Sequence, residues 1–134
     1  MQITVDKLEV LNDVKREVEY SGAKGGDYDH MRIIDADDEL LRRWMSDALK
    51  SIENELRELR KDSVMAGNTW YMNTTHNNNM DGWASVSAQS YVEAKVLVEW
   101  FMKVNVMALV EYYNARAESH MAELKKLAYH RTIS

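Results

Sequence analysis

Apolar residues recur every three to four positions along most of this chain, and that period predicts four helices. Val5, Leu8, Leu11, Val14 and Val18 outline a first helix from Val5 to about Tyr20, with Thr4 as its cap and Gly22 as a left-handed stop. A second helix begins at a cap on Asp35 and carries Leu41, Trp44, Met45, Ala48, Ile52, Leu56 and Leu59 on one face, its other face being charged throughout. Burial of Trp44 is expected to anchor that stripe. Ser87 is expected to cap a third helix over Ala88–Lys103, with Tyr91, Ala94, Leu97, Val98 and Phe101 or Met102 inward. Asn105 is read as the cap of a fourth helix, Val106–His130, whose stripe is Val106, Leu109, Tyr113, Ala117, Met121, Leu124 and Leu127.

Two stretches break the period. Gly22 to Met31 combines three glycines with Asp27, Tyr28, Asp29 and His30 and reads as an irregular connection. From Thr69 to Val86 apolar and polar residues alternate instead: Trp70, Met72 and Thr74 against Tyr71, Asn73 and Thr75. A turn-forming His76–Asn79 follows, and then a short run Trp83–Val86. This alternation predicts a hairpin-like excursion between the second and third helices. The expected fold is therefore mainly all-α. It is a four-helix bundle-like domain spanning residues 1–134 as one unit, with the excursion at about 62–86.

Composition narrows the chemistry. The 134 residues contain no proline, which permits long uninterrupted helices, and no cysteine, which removes disulfides, thiolate metal sites and a cysteine nucleophile. The balance of 22 acidic against 17 basic residues, a net charge of −5, disfavours general binding to nucleic acid or anionic membrane. The acidic excess lies wholly in the first sixty residues. No apolar run is long enough for a membrane span, and MQITVDKLEV lacks the basic-then-apolar order of a secretory leader.

Catalytic and metal-binding patterns are not found. His30, His76, His120 and His130 share no ligand spacing, and no Glu precedes a His by three residues as in di-iron bundles. The Asp35, Asp37, Glu39 alternation lacks the glycine and the twelfth-position Glu of a calcium loop. Lys24 among Gly22, Gly25 and Gly26 is followed by neither Ser nor Thr. Serines 85, 87 and 90 sit outside any Gly-x-Ser-x-Gly elbow. Neither an enzymatic activity nor a cofactor is expected.

The excursion is harder to set aside, because between Ser63 and Tyr91 the sole charged residue is Asp81. Trp70, Tyr71, Met72, Met80 and Trp83 there are candidates for a subunit or partner interface, the alternative being a lid folded over the subunit's own core. Lys125, Lys126 and Arg131 form a small basic group, a candidate docking patch whose plainer reading is a solvated helix end.

The run Met31, Arg32, Ile33, Ile34, Asp35, Ala36, Asp37, Asp38, Glu39, Leu40, Leu41, with Ala48, Ile52 and Glu53 beyond it, resembles a helix start in the head-tail connector (adaptor) and neck-ring proteins of tailed bacteriophages. Tyr91, Leu97, Trp100, Phe101, Tyr113, Ala117, Leu124, Tyr129 and Arg131 are similar to small structural proteins encoded beside phage connector genes. With the first helix the similarity covers about two thirds of the chain and leaves the excursion unmatched. It implies a non-enzymatic virion protein of the neck, present in host cytoplasm during assembly, with about twelve copies closing into a ring. Its implied partners are itself, the portal and tail or neck proteins, with a channel for genome passage and no sequence-specific contact to nucleic acid. The alternative class is a helical protein-protein interaction module or regulator of phage or mobile-element origin.

Overall fold

The computed structural model describes residues 1–25, 32–76 and 79–130. In chain order these form β1 (Gln2–Asp6), α1 (Lys7–Gly25), a 3-10 turn at Asp35–Asp37, α2 (Asp38–Glu55), β2 (Arg60–Ala66), β3 (Thr69–Thr74), α3 (Asp81–Lys103) and α4 (Met107–Tyr129). The protein is mainly helical, but the helices do not form a clean four-helix bundle. They share the core with a three-stranded antiparallel sheet of order β1-β3-β2.

α3 is the axis of the molecule and packs against α1, α2, α4 and β1. Its sequence suits that place. From Ala84 to Phe101 it buries eleven side chains, among them Tyr91, Val92, Val96, Leu97, Val98, Trp100 and Phe101, on more than one face, as a helix surrounded by neighbours must. Trp100 and Phe101 are the bulkiest fully buried side chains, and the Phe101 ring stacks on Tyr113 of α4 at 5.6 Å and 13°. α2 contributes Leu41, Met45, Ala48, Leu49 and Ile52. Trp44 is only half-buried at the margin of the core, so the anchor of the α2 stripe is the aliphatic set and not the indole.

The first expected helix starts later than Val5. Ile3 and Val5 alternate with Gln2, Thr4 and Asp6, a period of two, and both are fully buried as inner-face strand residues. The cap is Asp6 rather than Thr4: its Oδ1 accepts from the backbone N–H of Leu8 at 3.0 Å and of Glu9 at 3.1 Å. Gly22 does not stop the helix; it is buried inside α1, which continues to Gly25.

The hairpin is real but its arms differ from the expected ones. β3 pairs with the preceding β2 around the two-residue turn Gly67-Asn68, where Gly67 at φ +61° takes the first position of a turn that a side chain disfavours. Trp83–Val86, expected as the second arm, is helical, because α3 begins at Asp81 and not near Ala88. Ser87 is accordingly buried within the helix instead of capping it. Asn105 is also not a starting cap. At φ +61° it closes α3, with Val106 N–H donating to Phe101 C=O at 2.9 Å and Asn105 N–H to Met102 C=O at 3.2 Å, the paired bonds of a Schellman ending.

β1 carries an unusual edge. Its odd residues bond to β3, so the N–H groups of Gln2, Thr4 and Asp6 point away from the sheet. Each meets a side chain of α3. Gln2 N–H donates to Asp81 Oδ2 at 2.8 Å, Thr4 N–H to Ser85 Oγ at 3.0 Å, and Asp6 N–H to Gln89 Oε1 at 3.2 Å. Two strand residues advance roughly 6.6 Å and four helix residues roughly 6 Å, so alternate amides of β1 fall in step with every fourth side chain of α3.

Candidate functional site

The excursion residues divide between two environments. Trp70 and Met72 lie on the inner face of the sheet opposite Val5 and Ile3; Trp70 is 3% exposed and its indole N–H donates to Glu53 Oε1 on α2 at 3.2 Å. They belong to the subunit's own core, which corrects their reading as interface anchors: the alternation that marked the segment is the alternation of an inner and an outer face. Tyr71 is half-buried on the outer face, and Met80 is half-buried just before α3. Trp83 is different. On the first turn of α3 it is 70% exposed, with exposed Val86 one turn further along the same face.

The basic group is not a free patch as a whole. Lys125 Nζ donates to Glu55 Oε2 at 2.9 Å, tying α4 to the end of α2, and that carboxylate raises the lysine's pKa. Both partners are exposed, so the pair contributes little to stability. Lys126 faces solvent. Arg131 lies outside the described residues, as does His30.

A site that the sequence reading did not single out lies between α1, α3 and α4. It is a cleft of about 420 Å³ lined by Asp13, Glu17, Ser90, Glu93, Tyr113, Arg116 and His120, with Val14 and Leu97 at its floor. Helical spacing assembles it: Asp13 and Glu17 are four apart on α1, Ser90 and Glu93 three apart on α3, and Tyr113, Arg116 and His120 fall on one face of α4. The Tyr113 hydroxyl donates to Glu17 Oε1 at 2.6 Å, and burial together with that carboxylate pushes the phenol's pKa upward. Burial lowers the His120 pKa, with Arg116 adding to the effect.

Glu93 has its pKa pushed up to about 8, first by burial and then by its hydrogen bond to Asp13 and the charges of Asp13 and Glu9. These surroundings favour the protonated carboxyl, the form that can donate to Asp13. Asp81, Ser85, Gln89 and Glu93 are one stripe at four-residue spacing on α3. Where the chain beside the stripe is β1, it offers backbone N–H groups and the stripe accepts. Where that chain has become α1, it offers a carboxylate, and the stripe must donate. A carboxyl group whose surroundings favour its protonated form suits the position where the stripe passes from accepting to donating.

The polar bonds of the cleft thus run between helices of the same chain. Among the described residues no three His, Asp or Glu side chains converge as a metal site. No helix there is long and apolar enough to cross a membrane. The chain matches no protein-family model, and neither curated proteins nor solved structures include a detectable relative.

Proposed function

We propose that the protein is a non-enzymatic structural subunit of a tailed-phage particle, a head-tail connector or neck-ring component that assembles with copies of itself against the portal and around the genome channel, and contacts tail or neck proteins on its other side. The single observation that carries this reading is the outward face at the start of α3, where Trp83 and Val86 stand uncovered on a rigid, core-packed helix. Exposed apolar area costs about 25 cal/mol per Å², and a tryptophan held out on a fixed helix is the kind of group an assembly covers. The resemblance of Met31–Leu41 and of the α3–α4 aromatics to connector-type proteins supports the same class. The net charge of −5 per copy suits a channel wall to which passing DNA does not adhere.

The test is incorporation. Purified subunit mixed with portal assemblies, or expressed during assembly of particles, is followed by electron microscopy and by its stoichiometry in the particle. Trp83→Ser is expected to leave the isolated subunit folded and to prevent incorporation. Normal incorporation of that variant, or failure of the native chain to associate with any portal-bearing assembly, overturns the reading.

A further inference from the structure

Among the described residues, the second edge of the sheet, β2, has no counterpart to the α3 stripe. The ladder assigns its backbone groups. Lys7 N–H bonds to Asn68 C=O and Thr74 N–H to Met1 C=O, so even-numbered residues of β3 bond toward β1. The odd-numbered ones bond toward β2, as Thr75 N–H to Leu59 C=O shows. With Val64 opposite Tyr71 and Ala66 opposite Thr69, the backbone groups of Val64 and Ala66 are engaged within the sheet. Those of Ser63 and Met65 point outward from an edge strand. The side chains there are also open: Val64 is 52% exposed and Met65 46%. Met65 stands beside Trp70 at the mouth of a groove of about 270 Å³, which is bounded on α2 by Leu49, Lys50 and Glu53.

We propose that this edge pairs with β2 of a second copy of the chain, antiparallel, about a two-fold axis beside Val64. The strand is complementary to itself in one register. With Val64 opposite its own mate, Ser63 faces the partner strand's Met65 position and Met65 its Ser63 position. Both outward-pointing residues of each copy then exchange N–H···O bonds, about four in all. Asp62 falls opposite the position of Ala66, and Lys61 opposite that of Gly67, so no like charges meet across the seam. The irregularity between Arg60 and Asp62, with the charges of Arg60, Lys61 and Asp62, ends the free edge on one side, and the Gly67-Asn68 turn ends it on the other. What remains is a four-residue edge, matched to a short symmetric pair rather than to a long foreign strand.

The capped edge fixes the stoichiometry. Because Asp81, Ser85 and Gln89 already occupy the outer amides of β1, β2 cannot pair with the β1 edge of another copy, and sheet addition cannot propagate. It stops at two chains and one six-stranded sheet. Such an isologous contact is distinct from the head-to-tail contact that a ring repeats, so it stands or falls apart from the connector reading.

The chain has no cysteine, so a single introduced one can cross-link only to its own mate. Val64→Cys is expected to form a disulfide dimer under mild oxidation, since axis residues in a non-bonded pair lie about 4.5 Å apart between Cα atoms. Ala66→Cys is expected to stay uncross-linked. Sedimentation equilibrium of the native chain should show a monomer–dimer equilibrium with a Kd on the order of 10–100 µM, as suits a small interface. Ser63→Pro removes an outward N–H without touching the β3 ladder, and should weaken association about tenfold or more at an unchanged melting temperature. A native chain that is monomeric at several times that concentration overturns the proposal. So does equal cross-linking of both cysteine variants, or a dimer that survives Ser63→Pro in folded form. A foreign extended peptide that binds this edge while the native chain stays monomeric overturns it in favour of heterologous strand addition.

Discussion

β1 and β2 flank the same central strand, yet one is closed and the other open. Ile3 and Val5 of β1 are fully buried, whereas Val64 and Met65 of β2, no less apolar, are about half exposed. The difference lies in what each strand has beside it. α3 turns a polar stripe toward β1, so the outer amides there are bonded and the strand can be drawn into the core. Among the described residues nothing equivalent reaches β2, and its outward backbone groups are left to water. Burial of a strand is decided by the hydrogen-bond partners of its edge as much as by its side chains.

The largest effect should come from breaking the strand that both edges share. Trp70→Ala removes an inner-face indole of β3 and is expected to cost about 3–5 kcal/mol, a fall of about 10–20 °C in melting temperature by calorimetry. A variant that melts with the native protein would place Trp70 outside the core and undo the division between the two faces. Next comes the difference between the edges. Ser85→Ala leaves the Thr4 amide without its acceptor and should cost about 1–2 kcal/mol in urea unfolding, with faster hydrogen exchange at Thr4. Val64→Thr on the open edge should stay within about 0.5 kcal/mol. Equal costs at the two sites would mean that the α3 stripe does not close β1.

A smaller effect probes the end of that stripe. Glu93 has a folded pKa near 8, raised from its ordinary 4.5, so the folded state binds the proton more tightly than the unfolded one. Its contribution is fully present below the unfolded value and is lost as pH rises toward 8. Urea midpoints at pH 5 and 8.5 should show this decline, and Glu93→Gln should flatten it by on the order of 1 kcal/mol after allowance for partial solvent screening. A Gln variant with the native slope would assign the pH dependence elsewhere. Smallest of all, Trp83→Ser should leave the melting temperature of the isolated chain within what about 0.5 kcal/mol produces. A substantial fall would show that Trp83, like Trp70, is needed by its own subunit.

The helices that read clearly from the sequence are those with one apolar face and one charged face. α2 and α4 are of this kind, and the buried residues Leu41, Met45, Ala48 and Ile52, and Tyr113, Ala117 and Leu124, are among those their spacing picks out. α3 is legible from Ala88 onward but not in its first turns. Its first turns, Asp81 to Ser87, hold Trp83 and Val86 outward and carry a polar stripe toward a strand, so they lack the charged face that marks an exposed helix. β1 was missed because Val5 fits both a period of two and the helical series Val5, Leu8, Leu11, and only the tertiary partner decides between them. The turn at Gly67-Asn68 was a readable signal, outweighed by the alternation that follows it. Trp70 and Trp83 could not be told apart in a stretch uniformly poor in charge, because register, not composition, turns one inward. The cleft between α1, α3 and α4 left a trace as well, in the four-residue spacing of Asp13 with Glu17 and the three-residue spacing of Ser90 with Glu93, but which helices would face each other was not contained in it.

The closed edge also has a history in time. β1 is the earliest element along the chain, yet every acceptor that fixes its outer side lies about eighty residues downstream: 79 from Gln2 to Asp81, 81 from Thr4 to Ser85, 83 from Asp6 to Gln89. At about 5–20 residues per second of synthesis, those acceptors follow β1 by several seconds. Closing so long a loop is entropically costly until the sheet and α3 are ready to receive the strand. The outer side of β1 therefore cannot be closed until the start of α3 has been made, so this strand waits on distant partners before its edge is protected.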